Sequence, residues 1–193
     1  MESVSAGSHH HGVQFYRDEE SLFTTVAAFL SEGLVARQPA VVIATLPHRA
    51  AIEEHLCGRL INCAKARRDG DLIMLDAEEM LDQFMIGDRP DPELFEKNVG
   101  VIVRQAVEGR TGTIARAYGE MVDVLWKDGR HDAALALEIL WNQLIVRHAF
   151  ALLCGYSMGN FYKQPRQLAV VRSHHTHVVG RDNVVPFARK HRA

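Results

Sequence analysis

HGVQFYRDEESLFTTVAAFL, residues 11–30, reads as a β-strand that runs through a polar turn into a helix. The first six residues form an apolar strand-like run, and Leu22, Phe23, Val26, Phe29 and Leu30 then recur at helical spacing. Asp18 stands where a helix cap is needed, and Glu19 and Glu20 complement the positive end of the helix dipole. A phosphate-binding loop needs glycines whose backbone amides wrap the anion, with a lysine and a hydroxyl for the terminal phosphate and its magnesium. The turn Phe15–Ser21 has neither glycine nor lysine, and its three carboxylates would occupy and repel an anion at the helix start. The segment therefore predicts an α/β unit and argues against nucleotide hydrolysis of the P-loop type.

Four more apolar runs follow: PAVVIATLPH (39–48), GDLIMLDAEE (70–79), TGTIARAYGE (111–120) and FALLCGYSMG (150–159). Helical-period segments separate them. The alternation predicts a three-layer α/β domain with a mostly parallel central sheet of five or more strands and helices on both faces. In open sheets of this kind ligands sit outside the carboxyl ends of the strands. Pro47 opens a second helix, Asp91-Pro92 opens a longer one, and Gly129 ends a short one. Leu135, Ile139, Leu140, Leu144 and Ile145 give the last body helix a broad apolar face. Asn62–Asp69 reads as a basic loop, and QLAVVRSHHTHVV after Tyr162 as a helical turn or an edge strand.

A chain of 193 residues with 47% hydrophobic and 24% charged residues suits one globular domain. Its expected divisions are a flexible leader (1–10), a body (11–162) and a basic extension (163–193) whose last ten residues are mobile. No run approaches the ~18 apolar residues of a membrane span, and the polar start lacks the apolar core of a signal peptide. A cytoplasmic location without membrane contact is expected. Cys57, Cys63 and Cys154 show no CxxC spacing and read as reduced thiols, with Cys154 a buried small hydrophobe. From Lys163 onward seven bases face Asp182 alone, a net of +6, which leaves −8 on residues 1–162. An acidic body argues against direct nucleic-acid binding. The tail could touch an acidic partner, dock on its own body or stay solvated.

The polar residues at the strand ends are the candidate ligand contacts. Arg116, Tyr118 and Glu120 alternate with small residues and so share one direction. Glu120, Asp123 and Trp126 then return to one helical face. Without a base–nucleophile pair, ligand contact is favoured over catalysis, and no catalytic residue or cofactor is expected. Glu138, Trp141 and Asn142 lie at i, i+3 and i+4, either as a specificity device or as a satisfied buried network. His48, after Thr45, is a ligand contact or an incidental helix-start histidine. His174, His175 and His177 lack a local carboxylate or cysteine to complete a set, so no built metal site is expected there. Tyr16, Thr45, Asp76, Glu120 and Tyr156 would line the strand-end site, with Trp126 and Trp141 as its apolar area.

The blocks HGVQFYRDEESL, PAVVIATLPHRAAIEEHL, DAEEMLDQFM, YGEMVDVLW, LEILWNQL and FALLCGYSM together resemble the MEDS sensory domain of methanogen and methylotroph regulators of the DcmR type. They lie in order from about His11 to Phe161. The resemblance implies a KaiC- and RecA-like fold that has lost its phosphate loop. It also implies a signal input module that senses small molecules, hydrocarbon-derived ones among them. The motif positions it carries over are His11, Tyr16, Thr45, His48, Glu120, Trp126, Glu138, Trp141, Asn142 and Tyr156. Gly155, where the family often has alanine, is a departure. With no kinase, receiver or DNA-binding segment alongside, output is expected through a separate histidine kinase, response regulator or transcription regulator, and a homodimer is compatible with this. The competing readings are a protein-only adaptor and a degenerate NTPase or unrecognised hydrolase using Asp76 and Glu120.

Overall fold

The computed structural model describes residues 10–180, except 149 and 163, together with the strand residues 185–186. The expected leader, apart from His10, lies outside the described residues, as does the expected mobile end apart from Val185 and Pro186, which form a strand. The chain runs β1 (His11–Tyr16), α1 (Glu19–Val35), β2 (Ala40–Ala44), α2 (Leu46–Gly58), α3 (Cys63–Arg68), β3 (Leu72–Asp76) and α4 (Ala77–Phe84). A small hairpin follows, β4 (Met85–Ile86) and β5 (Arg89–Pro90). Helix α5 (Pro92–Phe95) passes through a π-helical segment (Glu96–Gly100) into α6 (Val101–Ala106). Then come β6 (Ala115–Gly119), α7 (Met121–Lys127), α8 (His131–Arg147), β7 (Phe150–Ser157), α9 (Pro165–Ser173), β8 (His177–Val178) and β9 (Val185–Pro186).

The sheet order is β3-β2-β6-β7-β1-β8-β9. The first six strands are parallel, and β9 closes the edge antiparallel to β8. Strands buried on both faces must be apolar throughout, and β2 (AVVIA) is buried at every position. Right-handed crossovers send leftward and rightward connections to opposite faces. Accordingly α1, α2 and α3 cover one face over Leu22, Val42, Leu56 and Leu153. Helices α4 to α9 cover the other over Met80, Leu125, Trp141 and Leu152. This is a three-layer α/β fold. The direction of winding reverses between β2 and β6, so the crevice of an open sheet falls where those two strands end.

Local signals explain the boundaries. Asp18 accepts the Ser21 N–H at 2.7 Å and caps α1. Asp91 caps α5 through the Glu93 and Leu94 N–H groups, ahead of Pro92. Gly129, at φ +75, reverses the chain between α7 and α8. The expected loop Asn62–Asp69 is instead largely the helix α3, because Asn62 accepts the Lys65 N–H and buried Cys63 anchors the turn. The stretch after Tyr162 supplies both a helix and a strand, β8, which is not at the edge because β9 pairs on its outer side. Val171 of α9 enters the core, and β8 pairs with β1 at Gly12 and Val13.

Candidate functional site

At the ends of β2 and β6 the chain builds a closed polar corner. Glu120 follows β6 and is 3% exposed. Its Oε1 accepts the Thr45 N–H at the start of α2, at 2.5 Å. Its Oε2 lies 2.6 Å from His48 Nδ1 and accepts the Tyr118 O–H at 3.2 Å. Behind His48, Nε2 is 3.5 Å from Glu19, and the Phe23 ring meets the imidazole edge-on. The hydrogen bond to Glu120 raises the His48 pKa above 6.5 against the opposing effect of burial. Burial first, and Glu120 second, pushes the Tyr118 hydroxyl well above its ordinary value.

Asp123 forms a second knot one helical turn further on. It accepts the Tyr16 O–H (3.1 Å), the Ser157 N–H (3.0 Å) and the Asn160 side chain (2.6 Å), with Lys127 Nζ at 2.9 Å. The ends of β1, β6 and β7 are thereby tied together. Trp126 stacks on His131 and packs against Tyr156 and Phe161, filling the space beside this knot with the chain's own rings.

The sequence-predicted residues thus divide. Tyr16, Thr45, His48, Tyr118 and Glu120 do meet at the strand ends, joined by Asp123, Ser157 and Asn160. Asp76 does not join them: it caps α4 through the Glu78 and Glu79 N–H groups and pairs with Arg49 at 2.7 Å. Trp141 lies in the core against Phe95 and Phe150. Arg116 points to the opposite end of the strands, where it donates to Gln38 Oε1 and the Phe29 carbonyl, both at 2.8 Å. Ser157 and Asn160 were out of reach of sequence reasoning because only the course of β7 brings them to Asp123.

Arg116 marks an open pocket of about 390 Å³ between α1 and the amino-terminal half of the sheet. Thr25, Ala28 and Phe29 of α1 form one wall, and Gly12, Leu152 and Leu153 the floor. His177 and Val179 close the β8 side, with Glu32 and Gln38 at the rim. Gly12 leaves room for His177 here, since a Cβ would stand 2.9 Å from its Nε2 and the ring would have to shift.

On the far face of the sheet, Glu138 of α8 belongs to a buried group with His11, Cys154 and His175, whose ligand-type atoms all lie within 4.8 Å of one another. The carboxylate and thiol missing near His175 in sequence come from α8 and β7. Tyr156 O–H donates to Glu138 at 2.8 Å. Burial, and then His175, holds the His11 imidazole down to about 3. The Cys154 thiol is pushed up by burial and then by Glu138.

The fold is a three-layer α/β domain whose sheet reverses its winding between β2 and β6, with a hydrogen-bonded polar corner at the ends of those two strands. The family model "MEDS: MEthanogen/methylotroph, DcmR Sensory domain" matches residues 10–176, so the chain belongs to the MEDS sensory domain family, and with it to proteins of signalling. No curated protein matches the sequence. Among the described residues no helix is long and apolar enough to cross a membrane.

Proposed function

We propose that the protein is a non-enzymatic cytoplasmic sensor that takes a small, mainly apolar molecule into the pocket beneath α1 and regulates a separate signalling protein. The pocket itself carries this reading. It is large enough for a small organic molecule, its walls are mostly apolar, and Arg116, Gln38 and Glu32 supply the few polar groups that would orient one. The strand-end corner is filled by its own hydrogen bonds, and Glu19, Glu20 and Asp18 give the α1 start a negative character unsuited to a nucleotide. A ligand transmits a signal only by binding two states unequally. One that bridges α1 and β8 would favour a particular spacing between them.

The test is a thermal-shift screen of volatile and apolar metabolites on wild type and on Ala28→Phe, which fills the pocket from its α1 wall. A stabilising compound whose effect vanishes in Ala28→Phe supports the sensor. Equal shifts in both proteins, or none in either, would sink it.

A protein-only adaptor is the second reading, favoured by the exposed Ile139 and Val146, seven residues apart on α8. It requires Ala28→Phe to regulate the partner as wild type does, and Val146→Glu to fail.

A further inference from the structure

We infer that His11, Glu138, Cys154 and His175 form a built, tetrahedral site for a zinc-type divalent ion between the sheet and α8. The four residues are brought together from β1, α8, β7 and the turn before β8. Their ligand atoms all lie within 4.8 Å of one another, and several pairs are already near the spacing that an ion sets. Bonds of about 2.0–2.3 Å from a tetrahedral centre place its donors about 3.3–3.6 Å apart. Here His11 Nε2 lies 3.3 Å from both Glu138 Oε2 and Cys154 Sγ, and His175 Nε2 lies 3.4 Å from Glu138 Oε1. Cys154 Sγ and Glu138 Oε2 are slightly wider apart, at 3.9 Å.

The outer contacts aim the donors inward. Asn142 gives its two amide hydrogens to the carbonyls of Glu138 and His174, both at 3.0 Å, which turns its Oδ1 toward His11 Nδ1 at 3.1 Å. That oxygen can only accept, so the proton of His11 sits on Nδ1 and the Nε2 lone pair faces the cluster. His175 is held the same way, its Nδ1 2.8 Å from the Val171 carbonyl. Tyr156 O–H fixes the Glu138 oxygen away from His11. Histidine ligands whose second nitrogen donates to a carbonyl are the usual support of a metal site.

His175 Nε2 is the decisive atom. Its side chain is fully buried, and Nε2 stands 3.4 Å from Glu138 Oε1 without a well-directed hydrogen bond to it. With its Nδ1 proton held by the Val171 carbonyl, a neutral His175 presents the Nε2 lone pair to the cluster, the form that an ion requires. Two nitrogens, one sulfur and one oxygen suit zinc. All four groups are buried, so the set is closed, with no position for a substrate. Binding would release the Cys154 thiol proton and leave a thiolate on the ion. The ion would also pin His175, two residues before the His177 that walls the pocket beneath α1, although the site stands without any ligand there.

Cobalt(II) added to tag-free, chelator-treated protein reads this directly, because thiolate-bound tetrahedral cobalt gives a near-ultraviolet charge-transfer band and intense visible bands. Cys57→Ser/Cys63→Ser is the background, so that Cys154 is the sole thiol. One equivalent of cobalt or zinc should bind, with the thiolate band present. Cys154→Ser should lose the band, and Asn142→Ala should weaken binding about ten- to hundredfold. His174→Ala should bind as the background does. If Cys154→Ser does not fold, the background protein's own spectrum decides: its band supports the site. No thiolate band in the background, or metal bound equally by Cys154→Ser, overturns it.

Discussion

His48 Nδ1 stands 2.6 Å from Glu120 Oε2, with both residues almost wholly out of solvent, at the point where the sheet reverses its winding. This pair locks the start of α2 to the end of β6, and Glu19 of α1 and the ring of Phe23 complete the surroundings of the imidazole.

Because folding raises the His48 pKa, its contribution to stability is complete below the unfolded value of about 6.5 and fades as pH climbs through the folded one. The melting temperature of the wild type should fall relative to that of His48→Gln as pH rises from about 6.5. Parallel melting curves for the two proteins across that range would refute the assignment.

Glu120→Gln keeps the shape of the corner and removes its charge. A loss of about 2–4 kcal/mol in denaturant unfolding is expected, since a buried partner is left uncompensated. In a double-mutant cycle with His48→Gln the two changes should couple by about 1 kcal/mol or more; additivity would mean that the contact contributes little. The same variant should leave any phosphate release from ATP unchanged, whereas a remnant hydrolase would lose it.

Gly155 makes room for Tyr118: a Cβ there would lie 2.8 Å from the Tyr118 hydroxyl and 3.1 Å from Leu22. Gly155→Ala should therefore destabilise by about 1–3 kcal/mol through overpacking. Tyr118→Phe in the same chain should recover much of that loss, despite giving up its bond to Glu120. Absence of recovery would place the strain at Leu22.

Leu60 adopts φ +65 on an exposed turn after α2, a left-handed conformation that penalises a side chain. Leu60→Asn should stabilise by about 0.5–1 kcal/mol, seen as a rise in the unfolding midpoint at constant m-value. A fall would mean that the leucine makes a contact that matters.

Much of the fold was legible because its signals are local. The capping carboxylates of Asp18 and Asp91, the proline openings and the uninterrupted apolar runs of β2 and β7 each act within a few residues. Asn62–Asp69 misled because its helix is decided by one cap and one buried cysteine, which a basic composition hides. The site was legible only in part. Tyr16, Thr45, His48 and Glu120 follow from the rule that strand ends meet; Asp76 also ends a strand, beside β2, but turns to cap α4 and pair with Arg49, and Trp141 of α8 is taken up by the core. A carboxylate after a strand caps a helix as readily as it meets a ligand.

The order of residues by itself determined an α/β chain of parallel strands, its lack of a phosphate loop and its resemblance to a sensory family. These depend on periodicity and on the chemistry of one turn. Only the tertiary structure decided that Arg116 faces an open pocket at the opposite end of the strands from Glu120. It alone gathered His11, Glu138, Cys154 and His175 into one buried cluster. Such groupings depend on strand order, which sets residues more than a hundred positions apart side by side through crossovers that no short-range pattern encodes.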